Sequence, residues 1–439
     1  MRCIPPARVA VRDFATSDHP AVQAQLDRLA NLSVPQGRLG LETIREMLDR
    51  LGNPHKRLPP VFHVAGTNGK GSTCAYLRAM LEAQGLKVHA TTSPHLVRYN
   101  ERIRIAGELI SDDHLARLLQ DVLDITEDLD PSFFEVTIAA SLIAFSTIPA
   151  DACVIEVGLG GRFDATNVLE RPAACGIATL GIDHERFLLN EEEGVPTDPF
   201  ARIAFEKASI AKPGVPLVTQ SYPQVAAQAV ARTAASHGAE LFMRGQAWQA
   251  EIGERIAYRD CFGPLTLPLP MLPGAHQAAN AALAVAMLRH QEQVHVSPEA
   301  MAAGIRAARW PARLQALGKG PLTALVPDHS VWLDGGHNPD AGQAISRFFD
   351  GQRLHLILGM LANKNPRALV EPLQDRIASL RIVEVPGHES HSAQVFGAPA
   401  AANVEEALRA LPADGLPVLI AGSLYLAGDV LRLNRELPA

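Results

Sequence analysis

Cysteine is scarce in this 439-residue sequence: Cys3, Cys74, Cys153, Cys175 and Cys261, with no CxxC pair and no regular spacing. That excludes a disulfide framework and predicts small buried side chains in a reducing compartment. No window holds about 18 uninterrupted apolar residues, so no membrane span is expected. The first residues include Arg2, Arg8, Arg12 and Asp13 and lack an apolar stretch, so no signal peptide is expected either. Positive charge is not in excess: the net charge is −7, which removes the electrostatic case for nucleic acid. Internal repeats and low-complexity tracts are missing. With 47% hydrophobic and 20% charged residues, the chain has enough apolar material for two or three cored domains. A soluble cytoplasmic enzyme is the expectation.

What is present is a phosphate cradle. Val61-Phe62-His63-Val64-Ala65 is a short apolar run, Gly66-Thr67-Asn68-Gly69-Lys70-Gly71 a glycine loop around a lysine, and Ser72-Thr73 leads into helix-like sequence to Leu81. In such a layout glycines let backbone N–H groups converge on phosphate oxygens, the helix N-terminus adds partial positive charge, and the lysine neutralises the outer phosphates. The common form of the loop has glycine at position 64, where valine stands, and a hydroxyl directly after the lysine, where Gly71 stands.

Along the chain, helical spacing is predicted over 21–32, 40–54, 111–125 and 134–147, with Leu86–Thr92 completing a βαβ unit and Ser93–Ile105 a polar loop. Strands follow at Ala152–Val157, Ala174–Leu180 and Val215–Gln220, with a helix at Pro199–Ala211. This rhythm predicts a doubly wound, mostly parallel sheet that binds ligands at the carboxyl ends of its strands. Residues 240–270 resemble an antiparallel ribbon on the sheet edge, followed by a helix at Ala275–His290. Composition changes near Ala307–Pro311, which places a boundary between domains of residues 1–308 and 309–439. The second is a smaller Rossmann-like α/β unit: strands Val331–Asp334, Leu354–Gly359, Arg381–Pro386 and Val418–Ala421 between helices Asp340–Phe349, 366–379, 403–410 and Leu424–Asn434. Glu156, an acid ending an apolar strand, stands where a phosphate-loop enzyme can hold Mg²⁺.

The loop Gly66-Thr67-Asn68-Gly69-Lys70-Gly71-Ser72 resembles the ATP loop of the Mur ligase superfamily, and its Lys-Gly-Ser ending resembles the folylpolyglutamate and dihydrofolate synthases. Glu156-Val157-Gly158-Leu159-Gly160-Gly161-Arg162-Phe163-Asp164-Ala165-Thr166-Asn167 is similar to that family's second signature, with only Phe163 replacing a leucine. Ser93-Pro94-His95-Leu96 and Ile182-Asp183-His184 resemble loops whose serine and histidine are magnesium ligands. Imidazole suits zinc better than Mg²⁺, so the resemblance alone implies His184. Gly274-Ala275-His276-Gln277-Ala278-Ala279-Asn280 is similar to a segment whose asparagine lies near adenine. Pro311-Ala312-Arg313 resembles Pro-Gly-Arg, whose arginine reaches the ATP phosphates across the domain cleft. Asp334-Gly335-Gly336-His337-Asn338-Pro339 resembles Asp-x-Ala-His-Asn-Pro, which implies Asp334 on the ribose and His337 beside it. Asn363-Lys364-Asn365 stands where the family has Asp-Lys-Asp. Phe205-Glu206-Lys207-Ala208-Ser209 resembles Glu-Lys-Ala-Gly, whose lysine carries CO₂; the alternative for Lys207 is a solvated lysine paired with Glu206 or Glu185.

The resemblance runs from about Gly40 to Asp429 and implies an ATP-binding domain followed by a glutamate-ligase domain. The implied activity is ATP-dependent addition of L-glutamate to folates through an acyl phosphate, and also to dihydropteroate. Implied ligands are ATP, two Mg²⁺, L-glutamate and a folate or dihydropteroate held near Ser132, Phe163, Asp164 and Ala165. Catalysis would fall to Lys70, Arg313 and Lys207, in a monomer. Arg38-Leu39-Gly40-Leu41-Glu42-Thr43 departs from the family's Asp-Leu-Gly-Leu-Glu-Arg at both ends. A Mur-type ligase for a cell-wall nucleotide and a ligase-free nucleotide switch are the competing readings. Gly158-Leu159-Gly160-Gly161-Arg162 argues against the first, and a second α/β domain with its own Arg313 and Asp334 against the other.

Overall fold

The computed structural model describes residues 16–32, 40–183 and 185–438. Eight strands form the large sheet: β1 (Val61–Ala65), β2 (Val88–Thr91), β3 (Ile103–Ile105), β4 (Glu108–Leu109), β5 (Ala152–Glu156), β6 (Ala174–Ile177), β7 (Pro216–Thr219) and β8 (Glu240–Met243). Their order is β4-β3-β2-β5-β1-β6-β7-β8. All pairs are parallel except β2–β3 and β3–β4. β1 lies between β5 and β6, so its carboxyl end opens at the middle of the sheet, where ligands bind in open α/β folds.

Burial explains why β1 and β5 read as unbroken apolar runs. Phe62, Val64, Ala152 and Val154 face the helices Lys70–Ala83, Ala275–Arg289 and Pro298–Ala307, whereas Val61, Cys153 and Ile155 face Glu42–Arg50, Asp112–Thr126 and Phe133–Thr147. With both faces covered, both sets of alternate residues are mostly apolar, and the one polar side chain in β1, His63, is buried with its Nε2 2.8 Å from Thr166 Oγ1.

Three predicted elements are redrawn. The polar loop 93–105 contains β3, which with β4 adds an antiparallel edge to the sheet. Runs of three and two residues are too short for alternation to register. Residues 240–270 give β8 to the large sheet, then β9 (Gln249–Ile252), β10 (Ile256–Asp260) and β11 (Gly263–Leu267) as a separate antiparallel sheet. Trp248, Ile256, Tyr258 and Leu267 bury this sheet against the helical layer rather than along the large sheet's edge. The helix predicted over 366–379 is Arg367–Leu373, broken at Pro372, and the strand after it begins at Ile377. Cys74, Cys153 and Cys175 are buried as predicted, but Cys261 is exposed.

The second sheet has the order β12-β13-β16-β14-β15, with β12 (Gln315–Ala316), β13 (Val331–Asp334), β14 (Leu354–Leu358), β15 (Ile377–Ile382) and β16 (Val418–Ala421). Only β12 is antiparallel. Ala308 belongs to the first core and Ala312 to the second. Among the described residues no helix is long and apolar enough to cross a membrane.

Just before this crossing, the helix Pro298–Ala307, which is not among the predicted elements, lies hard against Lys70–Ala83. A Cβ on Gly304 would sit 2.5 Å from Met80 N and Cα. Gly304→Ala gains about 1 kcal/mol of helix propensity but overpacks rigid backbone at about 1–3 kcal/mol. We expect the clash to win and Tm to fall in a thermal melt; an unchanged or higher Tm contradicts this packing.

Candidate nucleotide and ligase site

The loop after β1 is held by its neighbours before any ligand is considered. Thr67 N and Asn68 N donate to Thr179 O at 2.8 and 3.3 Å, and Thr67 Oγ1 donates to Gly181 O at 2.7 Å. Gly69 has φ 83°, and a Cβ there would lie 2.5 Å from Asn280 Oδ1. Lys70 starts the helix, its Nζ donating to the loop carbonyls of Gly66 and Thr67 at 2.9 and 3.4 Å. A half-buried glycine loop that opens a helix N-terminus and carries one ammonium fits phosphate oxygens.

The missing hydroxyl after the lysine has a steric cause. A Cβ on Gly71 would meet the Trp310 indole at 2.4 Å. Trp310 lies in the connection between the two cores, so the approach of that connection forces the glycine. Ser72, the next residue, is buried in the helix's first turn.

Further second-domain groups reach the same loop. Asn338 Nδ2 donates to Asn68 Oδ1 at 3.0 Å and Asn68 Nδ2 returns a bond to Asn338 Oδ1 at 3.4 Å. A Cβ on Gly181 would touch Asp340 Oδ2. Beside it, Asp183 receives Lys364 Nζ at 2.8 Å and faces His337 Nε2 at 3.6 Å. Lys364 is held in turn by His391 Nε2 on its carbonyl oxygen at 2.7 Å. Spacing gave no sign of Trp310. Asn338, Asp183 and Lys364 all stood inside recognised motifs without an assigned role.

Arg313 sits between two residues of left-handed backbone, Ala312 (φ 56°) and Leu314 (φ 46°). An L-residue there costs roughly 1–2 kcal/mol, which accounts for the glycine that Ala312 replaces. The bend is fixed by Ala312 N donating to Gln315 Oε1 (3.0 Å) and Leu314 N to Asp334 Oδ2 (2.8 Å). Asp334 Oδ1 also accepts from Gly336 N at 2.7 Å. Asp334 is thus an anchor for the Arg313 turn, whatever else its remaining lone pairs accept.

Glu156 is buried, its Oε2 accepting from Ser93 N at 3.1 Å. Burial pushes its carboxyl pKa up, and Lys70, the Ser93 N–H, Arg313 and Arg102 pull it back. Arg313 of the second domain therefore faces the same charge as Lys70 of the first. The neighbouring carboxylate of Glu156 and hydroxyl of Ser93 are hard oxygen donors of the kind Mg²⁺ accepts. His184 lies outside the described residues. Asn280 is buried beside Gln277, whose Nε2 is buried without a hydrogen-bond partner. An orphaned amide donor next to the cradle fits a purine acceptor.

Lys207 is wholly buried, its Nζ 3.5 Å from Gly160 O. Burial, aided by the charge of Lys70, depresses its pKa to about 7, against the pull of Asp183, Asp164 and Glu206. The solvated-lysine alternative therefore fails. The signature loop is clasped to its helix: Arg162 N donates to Glu206 O at 2.8 Å, and a Cβ on Gly161 would lie 2.6 Å from that oxygen. Arg162 and Arg202 both bridge Glu192 and Glu206, tying the acidic segment after His184 to the loop.

The residues expected at the pterin divide. Ser132 and Asp164 are capping groups: Ser132 forms a reciprocal capping box with Glu135, and Asp164 accepts from Leu159 N and Thr166 N at 2.8 and 3.0 Å. Ala165 is buried. Phe163 lines a cavity of about 520 Å³ with Gly160, Gly161, Arg162 and Glu206, its ring 4.3 Å under the Arg162 guanidinium. Phe134 closes over Gly158, where a Cβ would meet its ring at 2.4 Å. Arg38 and Leu39 lie outside the described residues.

No family model matches the chain. It is 34% identical over 361 residues to the dihydrofolate synthase/folylpolyglutamate synthase of Bacillus subtilis, covering 76% of this chain and 78% of that one. It is 32% identical over 415 residues to the folylpolyglutamate synthase of Lacticaseibacillus casei, covering 88% and 92%. Its fold is similar to that of E. coli FolC in complex with DHPP and ADP (TM-score 0.83, 30% identity, 94% and 97% covered). It is also similar to a bifunctional folylpolyglutamate synthase/dihydrofolate synthase with Mn, AMPPNP and L-glutamate bound (TM-score 0.80, 31% identity, 94% and 97% covered).

The Gly71–Trp310 contact has a direct test. Gly71→Ser, which restores the common loop, should weaken ATP binding at least about tenfold in a titration, because an indole must move out of the interface. Combining it with Trp310→Ala should recover part of that loss. A single variant that binds like wild type, or a pair worse than the product of its parts, contradicts the steric reading.

Proposed function

The chain belongs to the folylpolyglutamate synthase/dihydrofolate synthase family, and on that premise we propose that it joins L-glutamate to folates and to dihydropteroate with ATP. The observation that carries the proposal is the convergence of Lys70, Glu156 and Arg313 at one loop that both domains cover. A folate carboxylate is a poor electrophile. Its attack on the γ-phosphorus of ATP releases ADP and leaves an acyl phosphate; the glutamate amine then adds to the activated carbonyl, and phosphate leaves. Lys70, the loop N–H groups and Arg313 stabilise the negative charge spread over the transferring phosphoryl group. Both nucleophiles come from substrates, so no nucleophilic side chain is required.

Within this reading the nucleotide is held by Gly66, Thr67, Asn68, Gly69, Lys70, Gly71 and Ser72, with Asn280 and Gln277 at the base and Asp334 and His337 toward the ribose. Ser93, Glu156 and His184 would hold Mg²⁺, which when bound would neutralise phosphate charge. The two units divide at 308/309, and seating Arg313 requires both to be closed on the loop, which also keeps water from the acyl phosphate. The pterin lies along Phe163, with Ser132, Asp164 and Ala165 shaping the wall rather than bonding to it.

Lys207 is the carbamylated lysine of this site. Its neutral amine adds CO₂ and releases one proton, giving a carboxylate-like oxygen ligand. A pKa near 7 leaves about half of the amine neutral at that pH, whereas an ordinary lysine leaves well under about 1%.

ATP hydrolysis or phosphate release should require a pterin acid and L-glutamate together. Turnover with a cell-wall nucleotide instead, or ATP turnover indifferent to both substrates, overturns the assignment. Arg313→Ala should lower kcat about 10²-fold or more with little change in ATP affinity; an effect confined to KM makes it a ground-state anchor. For Lys207, ¹³C-bicarbonate should give a carbamate resonance that Lys207→Ala lacks. The signal should fade as pH falls below about 7, where the amine binds a proton instead. Lys207→Ala activity should recover with a short carboxylic acid, and full unaided activity in that variant removes the role.

A further inference from the structure

At the end of the second domain opposite the ligase site, His329, His355 and Asp414 meet with one ligand atom each, all within 4.8 Å of one another. Among the described residues this is the one such cluster of three or more histidine, cysteine or acidic side chains. His329 precedes β13, His355 is the second residue of β14, and Asp414 precedes β16. These are the amino ends of parallel strands, whereas Asp334 ends β13 at the carboxyl side. Nothing in glutamate ligation uses them.

The cluster has the second layer that metal-ligating histidines have. A backbone carbonyl can only accept, so His329 Nδ1, 2.7 Å from Leu416 O, carries its proton and donates it. That leaves His329 Nε2 with the lone pair. His355 Nδ1 pairs with Ser379 Oγ at 2.7 Å, and its Nε2 lies 3.0 Å from Asp414 Oδ1. The His355 side chain is only 2% exposed, which locks the ring, while that of Asp414 is 39% exposed and its Oδ1 also accepts from Leu416 N at 3.1 Å. Imidazoles oriented by an outer hydrogen bond, with a carboxylate open to solvent beside them, are the arrangement that holds imidazole-bound ions.

We propose that His329, His355 and Asp414 form a binding site for a divalent transition-metal ion of the zinc class, separate from the magnesium of the ligase centre. Two imidazoles and one carboxylate suit zinc or cobalt and do not suit Mg²⁺. Tetrahedral Zn–N bonds of about 2.0–2.1 Å put neighbouring donors about 3.3 Å apart; the His355 and Asp414 atoms are already 3.0 Å apart, so closing the site falls to His329, whose ligand atom lies within 4.8 Å of both. The half-buried His329 supplies that movement. On loading, neutral His355 moves its proton from Nε2 to Nδ1 and the Ser379 hydroxyl changes from donor to acceptor. Water completes the shell.

Titration of the full chain with Co²⁺ in saturating Mg²⁺ should give one visible absorption band of a nitrogen-ligated tetrahedral ion, displaced by one equivalent of Zn²⁺. His329→Ala and Asp414→Ala, both on the domain surface, should weaken Co²⁺ at least about tenfold. Glu156→Gln, in the ligase centre, should leave the band unchanged. Absence of a tetrahedral band in wild type overturns the site. So does a band that survives both His329→Ala and Asp414→Ala, or one that disappears with Glu156→Gln.

Discussion

The second domain rests on the phosphate loop itself, and most of the site follows from that contact. Trp310 against Gly71, Asn338 paired with Asn68, and Asp340 against Gly181 all place second-domain side chains at the mouth of the loop after β1. A Cβ at position 71 would have to displace the Trp310 indole, and one at 181 the Asp340 carboxylate. Two glycines of the first domain are therefore explained by residues about 160–240 positions away in sequence.

That closeness governs the electrostatics. Glu156 and Lys207 are both withdrawn from water, and burial works against the charged form of each. For Glu156 the opposing pull of Lys70 and Arg313, one from each domain, favours ionisation. For Lys207 the nearest cation, Lys70, acts with burial, and the amine is left with a pKa of about 7. The same lysine thus opposes burial at Glu156 and reinforces it at Lys207.

Much of the frame was legible in sequence because burial on both faces writes long apolar runs: β1, β5 and β6 fall inside their predicted spans, as does β16. The edge pair β3–β4 and the helix 298–307 were not predicted, the first because it is too short, the second although its buried Ala300, Met301, Gly304 and Ile305 follow helical spacing. At the site, the phosphate-loop spacing pointed to Lys70 and Glu156, and the family resemblance to Lys207. It did not reveal that Asp334 and Asp164 spend oxygens on backbone N–H groups, since an anchor and a ligand look alike in a motif. Nor could it find Trp310, whose role depends on a domain contact that no local pattern encodes.

The central claim is that the phosphate loop works only as a structure shared by two domains. A double-mutant cycle on kcat/KM for ATP-dependent glutamate addition, using Asn68→Ala, Asn338→Ala and the pair, measures the sharing directly. Two side chains in reciprocal hydrogen bonding should show a coupling of about 1 kcal/mol or more, roughly fivefold short of multiplicative. Losses that multiply to within about 0.3–0.5 kcal/mol would mean that the domains act on the nucleotide independently, and the account would be wrong.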